Sequence, residues 1–588
     1  MAAGAQQERW RRWAPLGMAV VVATGSAGSA GCTGCAGCRS SGEHAGEAAD
    51  GRETASAREA APGLTLELTP RPERKDLLVE LRVGQEAAAK VKELYASRSW
   101  ADTHGADAID AIDVRDARGE LSLDPPKEGS RERVYTLDRT PVGELLVRFT
   151  ARPSESHLGL RVESDRVTGV GYGFLLLPRL EETMPLRLRW NLAALGPKAL
   201  AASSLGEGDA VVEARSEALA RSFYVAGSLN SARAGDQRIY TLGAPSLAPR
   251  EILSWAGRAR TVTEARLHRK GTQAVGGAPE GGRAPDEGNA EEGAEPLSIF
   301  LVGEPGLGRD HDGAFLGGSL GVWFDGTRSF DGGMRIALTH EIAHRYLGGE
   351  LAVVNAEGEP AAWFVEGFTV HYARRLLFDA GMISAAEFAA DLNRIEEEAL
   401  GARRQGREPY RLGSRYAALL DYRLRRASRG ARSLDDLLAG LGHEAPVPES
   451  TFREAVAGAL GEEGAAELDT LVLKREGEVE IDLPSGAFGP CLRRVREQRK
   501  LFDVGFDVAS LASGNDVIRG VVKGSAAVRA GLHDGLLVLQ VRKLPKPEDG
   551  LSTEVDLTVT DHRGARRVRY RPWAIHSVFR WKSRYCVL

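Results

Sequence analysis

The chain has 588 residues, 43% of them hydrophobic, which is enough to build several cores and excludes a disordered or fibrous protein. Its 77 basic and 82 acidic residues leave a net charge of −5, so the overall charge predicts neither a nucleic-acid partner nor binding to an anionic membrane surface. Only five cysteines occur, which excludes a disulfide-scaffold protein. The sequence contains no run of 18 apolar residues, so no membrane-spanning helix is expected.

Residues 1–31 have the pattern of an export signal, with arginines before a short apolar run and small residues after it. We therefore expect the protein to be exported to the cell envelope, the periplasm or the medium. The small residues before Cys32 resemble a bacterial lipoprotein processing site, although Ser29 stands where that pattern prefers Leu, so Cys32 is a candidate lipid anchor. Cys32 and the two cysteines after it could also bind a metal; the alternative is a processed end with incidental thiols.

Residues 32–62 are small, polar and charged, which predicts a disordered tether. From residue 63 to 235, apolar and polar residues alternate at period two in runs such as Leu64–Leu68, Leu145–Phe149 and Leu186–Trp190. This pattern predicts an amino-terminal β-rich domain.

Residues 236–480 combine two short strand patterns with longer helical patterns, which predicts a mixed α/β catalytic domain. A stretch rich in Gly, Glu, Pro and Ala at 271–296 is interpreted as a disordered insertion. Short strands return at 490–575, with one helix starting near Ser525. The fold class predicted for the whole chain is therefore multidomain α+β.

His340, Glu341 and His344 form an H-E-x-x-H motif in a helix predicted from Met334 to Leu347. A spacing of four residues places both imidazoles on one helix face, close enough to bind one zinc ion. Glu341 could then act as general base on a bound water. The alternative is an amphipathic helix with two ordinary histidines.

Glu366 lies among large apolar residues in a second predicted helix, where a carboxylate is costly unless it is paired or binds a metal. The two helices resemble the gluzincin metallopeptidases, whose signature is H-E-x-x-H followed by a W-x-x-E-G helix. The resemblance implies a thermolysin-like catalytic domain, Zn²⁺ bound by His340, His344 and Glu366, and hydrolysis of a peptide or protein substrate. His371, on the same helix, is either a satisfied helix-face histidine or a group that supports a ligand.

Tyr410 begins a segment that resembles the Y-x-K-G helix start of the same peptidases. The resemblance gives Tyr410 the role of donating a hydrogen bond to the developing oxyanion. The alternative is a half-buried tyrosine at a helix boundary.

A glycine-rich segment stands where related aminopeptidases carry an acidic residue that captures the substrate amino group, and that acidic residue is absent here. End preference therefore stays open between aminopeptidase and endopeptidase. The strand from Leu320 to Phe324 is expected at the edge of its sheet, where it could pair with a peptide backbone. The candidate peptide-binding residues are Gly317, Gly318, Ser319 and Leu320.

The segment at 490–575 resembles a PDZ domain, most clearly in its S-x-A-x-x-A-G-L helix. The resemblance implies that it binds a carboxyl-terminal peptide as an added strand, with the terminal carboxylate near Gly505 and Phe506. The three domains together resemble the glycyl-aminopeptidase-like peptidases that carry a C-terminal PDZ domain. Because the ends of a PDZ domain lie close together, a disulfide between Cys491 and Cys586 is expected, and export makes it plausible.

The leading hypothesis is an exported zinc-dependent peptidase. Its metal ligands are His340, His344 and Glu366, and its catalytic residues are Glu341 and Tyr410. The alternative hypothesis is a non-catalytic peptide-binding protein. In that case the PDZ-like domain is the functional part and the peptidase core is degenerate.

Overall fold

The computed structural model describes residues 63–584 apart from gaps at 102, 130, 269–295, 306, 308–310, 401–407, 443–445, 475–480, 512–515, 546–549, 551 and 563. The expected export signal at 1–31, the tether at 32–62 with Cys32, and all but the last residue of the insertion at 271–296 lie outside these residues. The described chain divides into two compact units between Leu229 and Asn230, close to the boundary predicted at residue 235.

The first unit is built from three sheets and contains only single-turn helices among its described residues. Its strands are β1 (Leu64–Arg71), β2 (Asp76–Val83), β3 (Glu93–Ser97), β4 (Ile109–Asp116), β5 (Gly119–Glu120), β6 (Lys127–Glu128), β7 (Glu132–Thr136), β8 (Leu145–Ala151), β9 (Arg161–Val162), β10 (Val167–Val170), β11 (Leu177–Pro178), β12 (Met184–Trp190), β13 (Leu200–Ser203), β14 (Gly206–Glu207), β15 (Ala210–Ala214) and β16 (Phe223–Gly227). Its helices are α1 (Gln85–Ala88), α2 (Gly105–Ala108) and α3 (Glu217–Ala220). The prediction of a β-rich amino-terminal region is confirmed.

The largest sheet of this unit has seven strands in the order β15-β12-β1-β2-β8-β4-β5. Strand β1 pairs antiparallel with β2 and parallel with β12, so that Leu64 lies opposite both Val83 and Leu186. Leu64, Leu66 and Leu68 are fully buried while the residues between them are half-buried, which is the period-two pattern seen in the sequence. The other two sheets have the orders β14-β13-β16-β10-β9 and β11-β3-β7-β6.

The second unit begins with a five-stranded sheet in the order β17-β18-β19-β21-β20. Its strands are β17 (Leu229–Ala234), β18 (Gln237–Leu242), β19 (Leu297–Glu304), β20 (His311–Leu316) and β21 (Ser319–Asp325). Strands β18, β19 and β21 run parallel, and β20 returns antiparallel beside β21. The expectation that Leu320–Phe324 forms the sheet edge is therefore wrong: β21 is paired on both sides, and β20 lies outside it at one edge of the sheet.

Seven longer helices pack on and around this sheet. They are α4 (Pro249–Leu267), α5 (Gly332–Ala343), α6 (Ala362–Asp379), α7 (Ala385–Leu400), α8 (Glu408–Ala427), α9 (Leu434–Leu441) and α10 (Glu449–Leu468), with the short paired strands β22 (Val353–Val354) and β23 (Val447–Pro448) between them. The core that they share includes Phe324, Phe364, Phe368 and Phe388, all fully buried. None of the described helices is both long and apolar enough to cross a membrane.

The chain ends in a two-stranded antiparallel ribbon, β24 (Leu492–Phe502) with β28 (Trp573–Ser583), paired along all eleven residues of each strand. The chain between these two strands forms a small module with its own core. The module consists of α11 (Ala526–Arg529) and a sheet of the strands β25 (Leu537–Lys543), β26 (Val555–Asp561) and β27 (Gly564–Tyr570). Ser525 caps α11 as the sequence suggests. The segments Val504–Val508 and Val517–Val522 contain no regular strand, only an isolated bridge at Val517. The PDZ assignment therefore stays a prediction.

The ribbon is anchored to the main core of the second unit at its open end. The Asn393 side chain on α7 donates to the Trp581 carbonyl at 2.8 Å and accepts from its amide at 2.9 Å. The Trp581 ring packs edge-on against Phe488 at 4.8 Å between centroids. Cys491, beside the ribbon, is disulfide-bonded, and its carbonyl accepts from the Arg584 amide; the expected partner, Cys586, lies outside the described residues.

This anchoring predicts that Trp581→Ala lowers the free energy of unfolding by about 3–5 kcal/mol, because it removes a buried aromatic side chain from the core. Ile575→Ala is the matched control on the same strand: Ile575 is 74% exposed and Trp581 only 4%, so the control should change stability by less than about 0.5 kcal/mol. Urea denaturation followed by circular dichroism measures both. Equal effects of the two variants would contradict the anchoring.

Candidate metal centre

Helix α5 presents the two motif histidines from its carboxyl-terminal turn. Asp331 caps the other end of the helix, where its side chain accepts a hydrogen bond from the Met334 amide at 2.9 Å. The helix ends at Ala343, earlier than the predicted Leu347, but His344 keeps helical torsions of φ −60° and ψ −23°. The four-residue spacing of the two histidines therefore still places both rings on one face.

Helix α6 brings the carboxylate of Glu366 to the same point. The two histidine Nε2 atoms are 3.0 Å apart, and Glu366 Oε2 lies 3.4 Å from that of His340 and 3.5 Å from that of His344. Ligands bound at about 2.0–2.1 Å in a tetrahedron are separated by roughly 3.3 Å, so the triangle has the dimensions of three zinc ligands. Of the His, Cys, Asp and Glu side chains among the described residues, those of His340, His344 and Glu366 converge closely enough to hold a metal ion.

The donor set and its orientation also fit zinc. His344 Nδ1 lies 3.3 Å from the Leu347 carbonyl, a hydrogen bond that leaves Nε2 free to bind a metal. Two imidazoles and one carboxylate are a familiar ligand set for a catalytic zinc that keeps one open position. The Glu366 side chain retains 26% exposure, so the group is accessible from one side.

The charges at the centre depend on one another. Burial alone would raise the pKa of Glu366, but the charge of His344 and hydrogen bonds from both histidines hold it well below its usual range. Burial works against a charged imidazole, yet the Glu366 carboxylate raises the pKa of His344 to about 9. Without metal, a protonated His344 therefore balances the buried Glu366, and a bound cation would replace that proton.

Glu341 lies beside the metal group but is not one of its members. Burial raises its pKa to about 8; the charge of His344 opposes the rise and that of Glu366 adds to it. Its Oε2 is buried and finds no hydrogen-bond partner among the described residues. The carboxylate is thus placed to hold or release a proton near neutral pH.

The edge strand β20 crosses directly over Glu341 at Gly313. A Cβ added to Gly313 would lie 2.3 Å from Glu341 Oε1, so the strand can approach the carboxylate only because residue 313 has no side chain. Among the described strands, β20 pairs only with β21, which leaves its outer backbone edge beside the centre. Gly313 is not among the candidate residues predicted from the sequence, because the sheet edge was expected at Leu320–Phe324.

Tyr410, in the first turn of α8, lies next to the metal group, with its ring centroid 6.0 Å from that of His340. Its position follows from a glycine contact between α6 and α8. A Cβ on Gly413 would lie 1.7 Å from the Trp363 carbonyl, and one on Gly367 would lie 2.3 Å from the Gly413 Cα. The two helices therefore meet backbone to backbone, one residue after Glu366 and three after Tyr410.

Of the four residues expected to bind peptide, two lie in a turn and two begin the buried strand β21. Gly317 and Gly318 form the two-residue turn between β20 and β21, with φ of 51° and 82°, so the turn itself requires glycines. Ser319 and Leu320 are buried, and their backbones pair with β19 and β20. The candidate peptide-binding surface is instead the outer edge of β20.

Two further candidate positions lie away from the centre. In the carboxyl-terminal module, the Gly505 amide already donates to the Asp503 side chain at 2.8 Å, and Phe506 belongs to the module core. His371 is buried on α6 beside Phe488 and outside the metal group, and burial lowers its pKa to about 3, so the ring is neutral. This matches the helix-face interpretation of His371.

No family model and no curated protein matches this sequence. Among solved structures, the chain is similar to an aminopeptidase N family protein from Idiomarina loihiensis, at a TM-score of 0.60 and 12% identity over 88% of this chain and 98% of that one. An M1 zinc metallopeptidase from Deinococcus radiodurans (TM-score 0.41, 17% identity, 70% and 93% coverage) and yeast LTA4 hydrolase (0.40, 13%, 71% and 68%) are more distant. The first similarity shows a shared fold; the other two are too remote to bear on function.

The linked charges predict that zinc binding releases at least one proton per chain at pH 7. His344, with a pKa of about 9 without metal, is protonated there and must be neutral to bind zinc, so affinity should fall about tenfold per pH unit from 8 to 6. Competition with a chromophoric chelator measures this dependence. His344→Ala should lose the metal, whereas the exposed control His533→Ala should keep it; equal zinc in both variants would contradict the ligand assignment.

Proposed function

We propose that this protein is a zinc-dependent peptidase that hydrolyses peptide bonds with a metal-activated water. The observation that carries the proposal is the triangle of His340, His344 and Glu366 ligand atoms at 3.0–3.5 Å, with the buried carboxylate of Glu341 beside it. A purely structural metal site has no need of a further buried carboxylate whose pKa is raised toward neutrality. The shared fold with an aminopeptidase N family protein supports the same conclusion.

A substrate is proposed to bind as an additional strand along the outer edge of β20. Backbone pairing there would hold the peptide against Glu341, since Gly313 removes the side chain that would otherwise separate them. Such pairing recognises the main chain and places no demand on a free amino terminus. We therefore keep end preference open between aminopeptidase and endopeptidase.

Zinc, when bound, supplies Lewis-acid activation of water and of the scissile carbonyl. Glu341 takes the proton of the attacking water and returns it to the leaving amine; a pKa near neutrality suits a group that must do both. Tyr410, beside His340, donates a hydrogen bond to the oxygen that becomes negatively charged. The contact between Gly367 and Gly413 fixes the distance between that phenol and the ligand Glu366.

The alternative, a peptide-binding protein on an inactive core, is less well supported. It explains neither the buried carboxylate of Glu341 nor the approach of β20 to that residue. The predicted carboxylate cradle of the PDZ-like module is also occupied in part, because the Gly505 amide donates to Asp503.

The central test is Glu341→Gln. This variant keeps the size of the side chain and removes its basicity, so it should retain one zinc per chain while hydrolysis falls by about two to four orders of magnitude. Elemental analysis and cleavage of a peptide library measure the two properties on the same samples. Glu350→Gln is the control outside the metal group. Wild-type hydrolysis by Glu341→Gln would refute the mechanism, and a wild-type chain with zinc but without hydrolysis would favour the binding protein.

Tyr410→Phe tests the second catalytic role. Removing a hydroxyl that acts mainly in the transition state should lower kcat by about two to three orders of magnitude and change KM little. Tyr422→Phe, a partly buried tyrosine further along the same helix, is the matched control. If both variants turn over substrate at the wild-type rate, Tyr410 is a structural residue only.

A further inference from the structure

The charge of the chain is unevenly distributed along its length. Residues 491–588 contain 19 lysines and arginines against 10 aspartates and glutamates, while residues 1–490 contain 58 against 72. The net charge of −5 therefore conceals a basic carboxyl-terminal segment on an otherwise acidic protein. Near a negatively charged surface, such a molecule orients with its carboxyl-terminal segment toward that surface.

The ribbon of β24 and β28 concentrates this charge. Its two strands carry seven lysines and arginines and one acidic residue, Glu497, which pairs with Lys582. Arg493, Arg496, Arg499 and Lys500 on β24 are exposed. The positive charge is thus presented to solvent.

One face of the ribbon combines this charge with exposed apolar side chains. Residues directly opposite in an antiparallel pair share a face, so Arg496 lies beside Phe579 and Lys500 beside Ile575. Ile575 is 74% exposed and Phe579 is 39% exposed. At the two ends of the same face, Trp581 and Phe502 are buried in separate cores, so the apolar residues between them are left uncovered by both.

The basic residues hold the aromatic ring in place. The Arg494 guanidinium lies 3.6 Å and that of Arg496 5.0 Å from the centre of the Phe579 ring. Arg494 also contacts Asp482 and donates to the Leu483 carbonyl at 2.7 Å, which ties it to the segment that precedes the ribbon. The face therefore presents a fixed aromatic ring and a projecting aliphatic side chain surrounded by cations.

We propose that this face of the ribbon binds the surface of an anionic lipid bilayer. Arg496 and Lys500 would contact lipid phosphates while Ile575 and Phe579 enter the boundary between headgroups and acyl chains. An exposed isoleucine gains nothing from a nucleic-acid backbone, which would use the charge alone, so the combination favours lipid. The binding would hold the protein at a membrane independently of any lipid attached to Cys32.

The test measures partitioning of the full chain, carrying Cys32→Ser in every sample, onto vesicles by co-sedimentation. Vesicles of equal parts phosphatidylglycerol and phosphatidylcholine are compared with pure phosphatidylcholine at low and high salt. Binding should require phosphatidylglycerol and weaken at high salt. Arg496→Gln with Lys500→Gln should lower partitioning about 25-fold, at about fivefold per charge, and Ile575→Ser should lower it about tenfold.

Matched controls lie in the first unit. Arg118→Gln with Lys198→Gln removes the same charge from exposed positions, and Leu200→Ser removes an apolar side chain that is 59% exposed. Neither control should reduce partitioning by more than about twofold. Equal binding to both vesicle types, or ribbon variants that bind like their controls, would overturn the proposal. So would binding to single-stranded DNA or polyglutamate without binding to phosphatidylglycerol vesicles, since the partner would then be a different polyanion.

Discussion

The cost of burying the Glu366 carboxylate is the constraint on which the metal centre depends. A carboxylate placed among large apolar residues is stable only if a cation lies against it, and here both imidazoles of α5 meet it at 3.4–3.5 Å. The contact joins α5 to α6 at the metal group. The same side chains provide charge balance in the metal-free chain and ligands for a metal ion.

Much of this arrangement follows from local sequence patterns. Period-two runs predicted strands such as β1 and β12, Asp331 marked the start of α5, and the four-residue spacing of His340 and His344 placed both rings on one face. These features depend on residues that are close in the chain. Glu366 was identified as a ligand through a family resemblance, because no local pattern states which face of one helix meets another.

The features that sequence reasoning missed depend on contacts distant in the chain. The strand order β19-β21-β20 places the return strand outside, so His311–Leu316 forms this edge of the sheet and not the strand chosen from its pattern. A glycine inside a strand pattern, such as Gly313, carries no sign of the carboxylate beneath it. The pairing of β24 with β28 joins residues separated by the whole carboxyl-terminal module, and only the fold shows that their basic side chains share a surface.

The backbone contact of Gly367 with Gly413 has a consequence for how this centre could be altered. No side chain separates α6 from α8 at this contact, so a Cβ added to Gly367 or Gly413 would meet main-chain atoms of the other helix. The distance from Glu366 to Tyr410 therefore cannot be adjusted by replacing either glycine with a slightly larger residue. The two helices consequently form one packed unit, with the ligand Glu366 on α6 and the phenol of Tyr410 on α8. A side chain at either glycine would therefore push α6 and α8 apart and move Tyr410 away from Glu366.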